Sequence, residues 1–83
     1  MAYSIRYKRS VANDLRHLSR KAKGRLLGKV EKALSSEPQR YPQLKGDYVG
    51  LRRLRVGNYR VIYALTETDV LVLRIGHRRE VYR

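Results

Sequence analysis

Tyr3, Ile5 and Tyr7 alternate with Ser4, Arg6 and Lys8 at the start of the chain, which predicts a strand with one apolar face. From Val11 the period lengthens. Val11, Leu15 and Leu18 recur at helical spacing, Asn13, Asp14, Arg16 and His17 fall elsewhere on the wheel, and Ser10 stands where a cap would. A turn around Ser19-Arg20-Lys21 precedes a second amphipathic stretch, Ala22, Leu26, Leu27, Val30, Ala33 and Leu34, which must stop before Pro38. Two such segments with so little between them predict a helical hairpin. Gln39 to Gly50, with Pro42, Gly46 and Gly50, reads as a connecting loop. Three strands follow, about Leu51–Val56, Tyr59–Thr66 and Val70–Ile75, with tight turns at Gly57-Asn58 and Glu67-Thr68-Asp69. On the middle one Tyr59, Val61, Tyr63 and Leu65 share one face while Arg60, Ile62 and Ala64 share the other. The predicted fold class is α+β. An N-terminal strand, a two-helix hairpin and a three-stranded antiparallel meander form a small sheet with the helices packed on one face, and residues 1–83 make a single domain.

Composition changes this picture chiefly through charge. Apolar residues are 42% of the 83, enough for one modest core, and all seven aromatic residues are tyrosines. Twenty Lys and Arg against seven Asp and Glu leave a formal net charge of +13. That field favours a polyanionic partner, either nucleic acid or a strongly acidic protein, and its self-repulsion predicts a free chain of marginal stability. The absence of cysteine excludes disulfides, thiolate chemistry and a cysteine-based zinc site, and His17 and His77 are too few for a histidine-rich metal site. No cofactor or metal is expected. The N-terminal MAYSIRYKRS has no apolar signal-peptide core and no run approaches membrane-spanning length, so the cytoplasm is the expected location.

The chemistry concentrates in LRRLRVGNYRVIY, residues 51–63, and in the C-terminal IGHRREVYR. If Arg53 and Arg55 point the same way as Arg60 on the neighbouring strand, one sheet face carries a cluster of guanidinium forks suited to phosphate. Like charges that close destabilise each other unless an anion lies between them. The C-terminal segment would bring His77, Arg78 and Tyr82 towards the same region. Cationic strands with a tyrosine nearby suit RNA, with arginines on the phosphodiester and a ring stacked on an unpaired base. RNA carries its own nucleophile, the 2′-OH, so cleavage needs a proton acceptor, positive charge for the transition state and a donor for the departing 5′-oxygen, without a metal. Arg60 and Arg78 fit the charge role and are poor proton carriers, leaving His77 and Tyr82 for proton transfer. Lys45 and Lys8 read as phosphate-steering or solubility residues. The plainer alternatives are a solvated arginine face, a surface His77 and a Tyr82 that pins the tail to the core. Tyr59 and Tyr63, opposite Arg60, read as core residues, and His17 as a surface residue.

The pattern LKG…LRRLRVGNYRVIY…VLRIGHRREVYR resembles the RelE/ParE superfamily of type II toxins, its RelE branch in particular, over nearly the whole chain. That resemblance implies an endoribonuclease that cleaves messenger RNA in the ribosomal A site, and a cognate acidic antitoxin protein that wraps and neutralises it. Residue by residue it implies catalytic roles for Arg60, Arg78, Tyr82 and Arg53, with His77 where some relatives carry a basic residue. Arg52, Arg55, Arg79, Arg83 and Lys45 would complete an RNA-binding surface. Leu51 stands where relatives carry a second catalytic lysine, and the segment around Arg79 and Glu80 is shorter than in some RelE toxins. Two rival readings remain: a ParE-like inhibitor of DNA gyrase without enzymatic activity, and a small basic RNA-binding protein.

Overall fold

The structure, a computed structural model, describes residues 3–46 and 50–77. Strand β1 (Ser4–Tyr7) leads into a single helical turn, α1 (Val11–Asp14), and then the 15-residue helix α2 (Arg20–Leu34). A 3₁₀ turn over Pro38–Arg40 follows, and then strands β2 (Leu51–Val56), β3 (Tyr59–Leu65) and β4 (Asp69–His77). The sheet order is β1-β4-β3-β2: the meander is antiparallel and β1 lies parallel to β4, with Ile5 opposite Val70. The chain therefore crosses from one sheet edge to the other through its helices, which cover one face.

That covered face holds the core. Val11, Leu15, Leu26, Val30 and Leu34 pack on Leu54, Val61, Tyr63, Val70, Val72 and Ile75 in one cluster. Helix α2 begins where Ser19, in extended conformation, accepts a hydrogen bond at its Oγ from the Ala22 N–H, 3.1 Å away. The expected cap at Ser10 is absent: its backbone is helical and its side chain makes no capping bond. The helical hairpin is likewise reduced, because α1 stops after one turn. Asn13 and Asp14 are weak helix formers, and the Asp14 carboxylate is drawn away to accept the Ile75 N–H at 3.0 Å. That bond satisfies a β4 donor just beyond the reach of the short β1.

The two sheet edges are handled differently. β1 is only four residues long. The outer edge of β2 is covered by the loop, where the Leu44 N–H donates to the Leu51 carbonyl at 2.8 Å and the Arg53 N–H to the Pro42 carbonyl at 3.1 Å. On β1, Tyr7 donates its phenol hydrogen to Glu31 on α2 at 2.6 Å; burial, that bond and the carboxylate charge all hold the phenol well above its ordinary range. Among the described residues no helix is long and apolar enough to cross a membrane.

Candidate functional site: an arginine face on the open side of the sheet

Pairing register decides which side chains share a face. Arg55 stands opposite Arg60, and Arg60 opposite Gly76; Arg53 stands opposite Ile62, and Ile62 opposite Arg74. These two rows, Arg55–Arg60–Gly76 and Arg53–Ile62–Arg74, lie on the face away from the helices, since their neighbours Leu54, Val61 and Ile75 are in the core. Four guanidinium groups thus project from adjacent strands, and neither row includes a carboxylate. Ile62 is 5% exposed although it lies outside the main cluster, as expected where long arginine stems lie over an apolar side chain. A cleft of about 320 Å³ is lined by Tyr41, Pro42, Arg53, Arg55 and Arg60, roomy enough for a phosphodiester with part of its nucleotides.

Arg52 and Tyr63 face the other way. They are cross-strand partners on the helix side, and both hold the 3₁₀ turn. Arg52 Nη1 donates to the carbonyls of Gln39 (3.0 Å) and Tyr41 (2.6 Å), and the Tyr63 hydroxyl donates to the Pro38 carbonyl at 2.5 Å. Tyr63 is fully buried, and that burial pushes its phenol up to about 12 although the Arg52 charge opposes the shift. This clamp sets Tyr41 beside the arginine cleft, with the Arg40 guanidinium 5.8 Å from the centre of its ring.

His77 also falls on the helix side. It pairs with Tyr59, and the two rings meet edge to face with centroids 6.3 Å apart. From the other direction His17 stacks on Tyr59 at 6.2 Å and shares a hydrogen bond between its Nε2 and the Tyr59 hydroxyl at 3.0 Å. The expected grouping of His77 with Arg60 is thereby changed: the sheet separates their side chains.

Of the expected site residues, the structure brings Arg53, Arg55 and Arg60 onto one surface, gives Arg52 a clamping position and leaves Lys45 exposed in the connecting loop. Arg78, Arg79, Tyr82 and Arg83 lie outside the described residues. Arg74 and Tyr41 join the site without having been expected. Counting alternation from Val70 puts Arg74 on the core face, but Tyr63 pairs with Val72 and Ile62 with Arg74, so Leu73 is an extra residue in β4. That bulge turns Arg74 outward. Tyr41 carries no sequence signal, because a loop carbonyl held by a strand arginine has no periodicity.

Comparisons with known proteins agree with this architecture. The ParE toxin family of the parDE type II toxin–antitoxin system matches residues 5–82. Toxin RelG of Mycobacterium tuberculosis is 30% identical over 86 residues, covering 100% of this chain and 99% of that protein. The RelBE2 toxin–antitoxin complex of the same organism contains a chain that superposes with a TM-score of 0.84 at 28% identity, over 94% of this chain and 100% of its own. The archaeal RelE–RelB complex of Pyrococcus horikoshii gives 0.71 at 26% identity, over 98% and 100%. With the strand–helix–meander architecture and a family match from Ile5 to Tyr82, the chain belongs to the ParE toxin family of type II toxin–antitoxin systems.

Proposed function

We propose that this chain is a RelE-like toxin, an endoribonuclease that cleaves messenger RNA in the ribosomal A site and so halts translation. The observation that carries this reading is the arginine face. Arg53, Arg55, Arg60 and Arg74 share one face of the sheet in cross-strand register, and the first three line a cleft the size of a nucleotide step. Charge held that close is stabilised by an anion placed among it, and a phosphodiester approaching its transition state gains negative charge there.

In the reaction the 2′-oxygen forms a bond to phosphorus as its proton leaves to a base, and the bond from phosphorus to the 5′-oxygen breaks as that oxygen takes up a proton. The products are a 2′,3′-cyclic phosphate and a 5′-hydroxyl. Arg60 and Arg78 clamp the phosphate and stabilise the phosphorane-like charge. Arg53 and Arg55 hold flanking phosphates, and Tyr82 stacks on a base and orients or accepts the 2′-OH proton. Arg52 serves the site by fixing the Tyr41 loop. His77, on the opposite side of the sheet from Arg60, is not assigned the leaving-group proton.

Messenger cleavage by programmed ribosomes tests the reading. Arg60→Ala lowers the cleavage rate by roughly 10²–10³, the usual loss for one transition-state donor. Tyr82→Phe lowers it as well. Untouched cleavage in both variants rejects the assignments. The description of the matching family as ParE favours one rival, inhibition of DNA gyrase without RNA cleavage; supercoiling by purified gyrase in the presence of the chain separates the two. In either case the partner is an antitoxin, as in the relatives solved as toxin–antitoxin complexes. Its acidic, amphipathic segment would cover the cationic face.

A further inference from the structure

On the helix side of the sheet, a groove of about 250 Å³ runs between α2 and the β2–β3 turn. Its floor is apolar, formed by Ala22, Leu26 and Val56, and its rim carries cations, an amide and an aromatic ring. Arg25 and Lys29 line it from exposed positions on α2, the Asn58 amide lies at the turn, and the half-buried Tyr59 closes one side. Behind Tyr59 stand His17 and His77, so its ring belongs to an aromatic ledge of three, with the hydroxyl tied by the His17 Nε2 contact. None of these groups takes part in the chemistry assigned to the arginine face.

We infer that this groove is a second RNA subsite, which holds one unpaired nucleotide of the strand whose neighbouring phosphates lie on the arginine face; the inference rests on the RNA-cleaving reading. The ligand class follows from the lining. A base stacks on the Tyr59 ledge and hydrogen-bonds to the Asn58 amide, while Arg25 and Lys29 meet the phosphate. An acidic amphipathic peptide would use the two cations and the apolar floor of Ala22, Leu26 and Val56 but would leave the Asn58 amide unused. A base uses the floor, the Tyr59 ring and the amide together. Continuity with the arginine face comes from the turn itself. Gly57-Asn58 is two residues long, Arg55 and Arg60 flank it on one side of the sheet, and Val56 and Tyr59 flank it on the other. Arg55 Nε also contacts the Gly57 carbonyl at 3.4 Å, which places its guanidinium at the point where a strand would cross. The RNA therefore bends over the hairpin tip, with phosphates on both sides.

Fluorescence anisotropy with a labelled single-stranded RNA 12-mer tests this, combined with photocross-linking of the same oligomer carrying 4-thiouridine. The double variant Arg25→Ala/Lys29→Ala, on the exposed face of α2, weakens binding about tenfold and makes log Kd less steep in log salt by roughly one unit, as loss of one or two phosphate contacts requires. Tyr59→Leu weakens it about 5- to 150-fold, the range for loss of one base stack. Its thermal melt shows whether the fold survives, and the helix variant carries the test if it does not. Cross-links map to α2 peptides containing Arg25 or Lys29 as well as to the strands. Unchanged affinity and salt slope in the double variant, with no cross-link on α2 peptides, overturn the groove and leave the arginine-face reading intact. Loss of binding to a glutamate-rich peptide with unchanged RNA affinity also overturns it, assigning the groove to a protein partner. The arginine-face reading fails separately, when Arg60→Ala cleaves messenger RNA at the wild-type rate.

Discussion

At the scale of single residues, the pair Tyr63 and Arg52 shows how one strand serves two faces. Alternation along β2 sends Arg53 and Arg55 to the open face and Arg52 to the helix side, where it stands beside the buried phenol that also binds the 3₁₀ turn. Tyr63→Phe removes the phenol donor to the Pro38 carbonyl, and lowers stability at neutral pH by about 1–3 kcal/mol in urea unfolding. The same hydroxyl makes the wild type sensitive to alkali. Its folded-state pKa, pushed up to about 12, lies above the ordinary value of 10.0 reached on unfolding. The unfolded chain therefore loses this proton first. The stabilisation is complete below pH 10.0 and disappears as pH rises towards about 12. Stability measured across that window falls more steeply in the wild type than in Tyr63→Phe; equal slopes would show that Tyr63 is not the titrating group. Arg52→Ala should shift the loop and lower messenger cleavage without touching the arginine cleft directly. A variant that keeps full activity would remove the clamp from the site.

Elements were legible in the sequence wherever one period persisted. The alternation of Tyr3, Ile5 and Tyr7 placed β1, and the meander strands lie within one or two residues of their predicted ends. Gly57 has φ +59° at the first turn position, which a two-residue hairpin of this kind needs and which other residues rarely adopt. What was not legible came from places where the period breaks. The Leu73 bulge reverses parity in β4, so Arg74 could not be assigned to the open face by counting. His77 was grouped with Arg60 because both lie in basic segments, whereas cross-strand pairing with Tyr59 puts it on the other side. The first helix stops early because Asp14 spends its carboxylate on a strand donor 61 residues away, a contact that no local pattern encodes. Helix α2 starts inside the expected turn around Ser19-Arg20-Lys21: Arg20 and Lys21 are already helical and Ser19 is the cap. Ser19→Ala leaves the Ala22 N–H without that acceptor and costs about 1 kcal/mol, read as a lower urea midpoint with an unchanged m-value. A change in m instead would mean that the first turn of α2 is part of a wider unfolding event.

At the scale of the whole molecule, charge decides how the parts behave together. Twenty basic residues on a chain of 83 place cations on both faces of the sheet, in the outer rows and along α2 at Lys21, Arg25, Lys29 and Lys32. A surface of one sign repels itself over distances comparable to the Debye length, about 10 Å at 0.1 M salt. Salt should therefore act in opposite directions on the free chain and on its complexes. Raising NaCl from about 50 to 300 mM screens the repulsion and raises the melting temperature of the isolated chain. The same change weakens complexes with an acidic antitoxin segment or with RNA, because the ion pairs that steer and hold them are screened and the RNA counterions are no longer released into dilute salt. At low salt, an acidic partner in excess over its Kd should raise the melting temperature above that of the free chain, by as much as it prefers the folded state to the equally charged unfolded one. Calorimetry of the free chain and of the complex across that salt series gives two curves that converge as salt rises. Parallel curves would mean that the partner is held by apolar contacts and not by the +13 charge.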